Sequence, residues 1–101
     1  MKIKVFHYVY SPETFESWDI VTVSWEFVVE IETENLETGF RETNSIDTQW
    51  REKTRSTSVG DIFVTEDGVN HMVGNIGFFE IPEIPHGMKH IDYWRMCHHR
   101  W

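Results

Sequence analysis

At 101 residues, with 40% hydrophobic and 15% aromatic side chains, the chain is long enough for one modest core, too short for two, and well outside the disordered class. Seventeen acidic residues against nine Lys and Arg give a formal net charge of -8, which excludes a nonspecific grip on a phosphate backbone unless a local basic face exists, and the sequence shows none. The single cysteine, Cys97, excludes an intramolecular disulfide, and with no signal peptide or bilayer-length apolar run the chain is expected to be a cytoplasmic protein without a membrane partner.

Residues 2–10 alternate, with Ile3, Val5, His7 and Val9 on one face and Lys2, Lys4, Phe6, Tyr8 and Tyr10 on the other, which predicts a strand apolar in part on both sides. Ser11, Pro12 and Glu13 then offer an N-cap, a first-turn proline and an early carboxylate for a turn or two of helix, with Phe15 and Trp18 packing inward. Over residues 21–31 the alternation is cleaner. Val21, Val23, Trp25, Phe27, Val29 and Ile31 share one face, Thr22, Ser24, Glu26, Glu30 and Glu32 the other, and only Val28 breaks the pattern. This segment is expected to be the central strand, with Glu26, Glu30 and Glu32 in a row on its solvent face.

Leu36, Phe40 and Thr43 or Asn44 recur at helical spacing and predict a helix over residues 35–44. Gly39 in its interior costs about 1 kcal/mol relative to alanine, so its expected use is to let the helix approach the sheet closely. A polar loop anchored by Ile46 and Trp50 follows. Arg55-Ser56-Thr57-Ser58-Val59-Gly60-Asp61 reads as a tight turn, because Gly60 takes a positive φ cheaply and Ser58 and Asp61 can bond nearby backbone. A three-stranded meander over residues 59–81 is predicted next: Ile62 and Val64 face one way and Phe63 and Thr65 the other, Asp67-Gly68 and Gly74-Asn75 turn the chain, and Pro82 stops it. Beyond it lies a tail rich in His and aromatics, drawn as a short helix with Met88, Ile91 and Trp94 or Arg95 on one stripe. The fold class is therefore α+β, a twisted antiparallel sheet of about five strands with one main helix packed on one face. Residues 1–81 form the domain and residues 82–101 a tail packed on it.

Three pieces carry a resemblance: Val28-Val29-Glu30-Ile31-Glu32-Thr33-Glu34-Asn35-Leu36-Glu37, then Gly39-Phe40-Arg41-Glu42-Thr43-Asn44 with Asp47 and Trp50, then residues 55–62. Together they resemble a set of small uncharacterised proteins of bacteriophages and plasmids, in which a strand and a helix lead into an Arg-Ser-x-Ser-Val-Gly-Asp turn, a hairpin and a closing Gly-aromatic strand, here Gly77-Phe78-Phe79. The second half is similar, more faintly, to the YodL-like domains of mobile elements. The likeness spans residues 26–81 and implies a small accessory protein of the host cytoplasm. It brings no catalytic or binding residue with it, and the short spacer after Trp50 and the tail beyond Pro82 depart from the pattern.

The residues expected to bind a partner are Glu26, Glu30 and Glu32, a line of negative charge suited to a basic surface such as a host enzyme's nucleic-acid channel, with Trp94, Arg95 and Trp101 as anchors. The expected partner is a host or defence-system protein, and the chain a monomer or a homodimer joined through the tail. His86 and His90 have the i, i+4 spacing of metal ligands, with Cys97 and His98 or His99 to complete a set. Gly87 inside the pair and the lack of a second cysteine point away from a metal, and no cofactor is expected. An enzyme would have to use these histidines or Ser58, Asp61 and His71. The Ser-x-Ser-Val-Gly-Asp run is more simply a self-bonded turn, so catalysis is not expected.

Overall fold

The computed structural model describes residues 1–10, 22–44 and 55–98, apart from the side chains of His90 and His98. The turn expected at Ser11, Pro12 and Glu13, the anchors Trp18, Ile46 and Trp50, and His99 and Trp101 lie outside these residues.

Strands β1 (Lys2–Tyr10) and β2 (Thr22–Glu32) form where the alternation predicted them, and they pair antiparallel along the whole of β1. Lys2 to Val5 face Glu32 to Val29, while Phe6 to Tyr10 face Phe27 to Val23, so Val28 is an extra residue, a β-bulge. Residues opposite one another in an antiparallel pair share a face, and the bulge therefore moves the apolar side of β2 from one face to the other. Val23, Trp25 and Phe27 lie on the first face. Val29 and Ile31 lie on the second, which corrects the single apolar face expected for residues 21–31.

Helix α1 (Leu36–Asn44) follows, with the Asn35 side chain as N-cap: its Oδ1 accepts from the Thr38 amide at 2.8 Å. The meander then supplies β3 (Ile62–Thr65), β4 (Asn70–Gly74) and β5 (Gly77–Ile81). Two residues, Met88–Lys89, make β6, and α2 (His90–His98) closes the described chain. Among the described residues the sheet has six antiparallel strands in the order β5-β4-β3-β1-β2-β6. The α+β class with an antiparallel sheet is as expected; the sixth strand and second helix come from the tail.

Strand β2 is not central. The chain inserts β1 between β2 and β3, and the middle of the sheet falls to β1 and β3, whose Ile3, Val5, Ile62 and Phe63 are fully buried. Ile62 and Phe63 are neighbours on one strand yet belong to different clusters, so the sheet is packed on both faces. On one, Val23, Trp25, Ile62 and Met72 meet Tyr93 and Cys97 of α2. On the other, Ile3, Val5 and Phe63 meet Leu36 and Phe40 of α1 and Phe78 of β5.

Gly39 is buried at the second contact. A Cβ there would lie 3.3 Å from Thr33 Cγ2 and 3.5 Å from the Ile3 and Ile31 methyls, which is the close approach its position predicts. In α2 the buried stripe is Tyr93 and Cys97, four residues apart. The stripe expected at Met88, Ile91 and Trp94 or Arg95 is displaced, because Met88 belongs to β6 and Ile91, Trp94 and Arg95 are exposed.

Candidate functional site

Strand β3 begins at Ile62, opposite Phe6, but β1 runs on to Tyr10, which leaves the backbone of Tyr8 with no strand on that side among the described residues. Side chains of the Arg55-to-Asp61 turn take over the ladder there. The Tyr8 amide donates to Asp61 Oδ1 at 3.0 Å, and Arg55 Nη2 donates to the Tyr8 carbonyl at 3.1 Å. Arg55 grips Asp61 with both ends of its guanidinium, at 2.7 and 2.8 Å, and lies 4.3 Å over the Tyr8 ring. The Ser58 amide donates to Asp61 Oδ2 at 2.7 Å and the Asp61 amide returns a bond to the Ser58 carbonyl at 3.1 Å, the self-bonded turn that the sequence suggests.

Around this pair the remaining groups are buried and engaged. His7 Nε2 lies 2.9 Å from Thr57 Oγ1 and 3.8 Å from Asp61 Oδ2. Burial pulls the His7 pKa below its ordinary value and the Arg55 cation pulls the same way, against the Asp61 carboxylate, which raises it. The end of α1 is tied in as well, since the Thr57 amide donates to the Thr43 carbonyl and Asn44 Nδ2 to the Thr57 carbonyl. Trp25 Nε1 donates to the Gly60 carbonyl at 2.7 Å. Gly60 has φ 96, and a Cβ on it would fall 2.1 Å from the Tyr93 hydroxyl, so both backbone and space demand glycine. The segment joins β1, β2, β3, α1 and α2.

His71 does not join Ser58 and Asp61. It sits 3.4 Å from Thr65 Oγ1, beside the β3–β4 turn, so the structure does not assemble that group. In the tail, His86 is exposed while Cys97 is buried beside Tyr93, its thiol pKa pushed up by burial. His90 and His98 contribute no described side chain, and among the described residues no three His, Cys, Asp or Glu converge on a metal position.

The expected acidic row is divided. Glu26 faces His7 across the ladder, while Glu30 faces Lys4 and Glu32 faces Lys2, beyond the bulge and on the opposite side of the sheet from Glu26. The Glu32 carboxylate is also 3.3 Å from the Met1 ammonium. All three carboxylates are exposed. They share a strand edge instead of a face, because β6 pairs only with Thr22 and Val23, and residues 24–32 have no strand on that side among the described residues. Beside the bulge a shallow cleft of about 520 Å³ is lined by His7, Tyr8, Glu26, Phe27, Val28 and Arg55, with the Phe27 ring 56% exposed. Trp94, 43% exposed, and Arg95, also exposed, lie on α2 outside its buried pair, Tyr93 and Cys97.

No family model, curated protein or solved structure matches this chain. The structural part played by Arg55 went unread in the sequence, since its partners at Tyr8 and Asp61 are separated from one another by more than half the chain. No helix among the described residues is long and apolar enough to cross a membrane.

Proposed function

We propose that this protein is a small phage or mobile-element accessory protein that works in the host cytoplasm by binding, its partner a host or defence-system protein. The observation that carries the reading is the contrast between its two polar regions. The cluster richest in catalytic residue types, His7, Thr57, Ser58 and Asp61, is spent on the fold: Thr57 and Asp61 are fully buried, and Asp61 is held by Arg55 and two backbone amides. The exposed polar groups are instead laid out as a surface, with Glu26, Glu30 and Glu32 along β2 and Trp94 and Arg95 on α2. Such a surface suits recognition of a basic partner. An acidic surface of this kind suits inhibition of a partner by occupying its nucleic-acid channel.

The test is capture from nuclease-treated host lysate, read by mass spectrometry, with the native protein and with Glu26, Glu30 and Glu32 all changed to Lys. One dominant protein retained by the native chain and lost by the variant supports the reading. Equal retention by both would remove the acidic strand from it, and an enzymatic activity abolished by His90→Ala or His98→Ala would replace it.

A further inference from the structure

We infer that the partner contributes an extended basic segment that adds as a strand to the open edge of β2, along residues 24–32. This rests on the binding reading above and specifies its mode. A strand edge exposes a row of backbone donors and acceptors, and pairing with a second chain is what satisfies them. Here the edge is long. The protein uses its first two residues for itself, with Thr22 opposite Lys89 and Val23 opposite Met88, and the chain reaches them through Gly87, whose φ of 60 sets the bend. The open stretch begins at the next residue. An incoming strand would continue the line that β6 begins.

Charge selects the occupant. Residues 24–32 carry Glu26, Glu30 and Glu32 and no Lys or Arg, so two copies of β2 laid edge to edge would gather six carboxylates and no cation from those strands along one seam. A second copy is thereby disfavoured, and a segment carrying Lys or Arg is favoured by the same groups. The protein's own occupant of this edge is an apolar residue followed by a lysine, Met88–Lys89. The bulge at Val28 adds a geometric filter, since it kinks the edge between the half that carries Glu26 and the half that carries Glu30 and Glu32. A matching segment presents basic side chains to opposite faces of the sheet at its two ends, with an apolar residue over Phe27. The opposite edge, β5, is five residues long and stopped by Pro82, and offers less.

The experiment is selection of a displayed library of random nine-residue peptides on the intact protein. Hydrogen exchange of the protein is then measured with and without the selected peptides. The expected result is enrichment of peptides alternating basic and apolar residues, with exchange slowed at least tenfold at amides within residues 24–32. Binding should fall at least tenfold when all three glutamates are changed to Gln, and when the peptide backbone is N-methylated at every second position in one of the two phases. Enriched peptides that protect α2 or the cleft instead, or that bind equally with either phase methylated, would overturn strand addition while leaving the protein a binding module. A library that yields nothing would also overturn it, and the lysate capture decides the broader reading independently.

Discussion

Asp61 ties several separate elements together. Its carboxylate is fully buried, accepts from Arg55 and from the Ser58 and Tyr8 amides, and would leave the Arg55 cation and two amides without their acceptor if removed. Breaking such a pair from one side costs about 3 to 5 kcal/mol. Asp61→Asn, which keeps the volume and loses the charge, is expected to fall near the lower end, measured by urea unfolding with the m-value unchanged. His7 supplies a pH dependence. Its folded pKa lies below the ordinary value, so as pH falls below about 6.5 the unfolded chain takes up a proton that the folded one resists. Stability from this group is complete above that pH and is lost on acidification toward the depressed folded value, at up to about 1.4 kcal/mol per pH unit. Melting curves from pH 7.5 to 5 should show the decline, and His7→Gln, which retains a side-chain hydrogen bond toward Thr57, should flatten it.

At the level of elements, the local signals were legible and the non-local ones were not. Alternation placed β1 and β2, the Asp-Gly turn placed the meander, and Gly39 announced the close contact of α1 with the sheet. The bulge was also written in the sequence, as the break in alternation at Val28, but a break does not say that everything after it changes face. For that reason Glu26, Glu30 and Glu32 read as a row. What no local pattern could show was that β1 stands between β2 and β3, or that Tyr8 is bonded by side chains from Arg55 and Asp61. The buried stripe of α2 was likewise misplaced, because Met88 belongs to a strand that the sequence does not distinguish from the helix start. The bulge makes its own prediction. Since Val28 is the extra residue, deleting it preserves both the pairing of Phe6 with Phe27 and that of Val5 with Val29. The deletion should cost less than about 2 kcal/mol, within the range of ordinary substitutions. Deleting Ser24 instead shifts Val23 to the wrong face and should unfold the protein; circular dichroism melts of the two deletions make the comparison.

For the molecule as a whole, α1 and α2 enclose the sheet from both sides, and the tail is part of the core through Tyr93 and Cys97. Cys97 is 1% exposed, and burial raises its thiol pKa, so it should not react with a disulfide reagent in the folded protein at neutral pH. Labelling is expected to occur at the rate of opening and to accelerate through the urea transition, and immediate labelling of the native protein would show that α2 is not docked. Function was the least legible level, because a binding surface is defined by what is left over once the fold has used its groups. Only the structure shows that Asp61 is taken up by the fold and that, among the described residues, no strand pairs with β2 beyond Val23 on its outer edge.

The place of β1 also has a consequence for the order in which the protein is made. Its partner β2 is complete by Glu32, but its other neighbour, β3, ends at Thr65. At synthesis rates of about 5 to 20 residues per second, a newly paired β1 and β2 wait on the order of seconds with both outer edges bare. The carboxylates and kink on one edge stand guard over that interval as much as over the finished protein, while Lys2 and Lys4 lie on the strand whose edge must wait for β3.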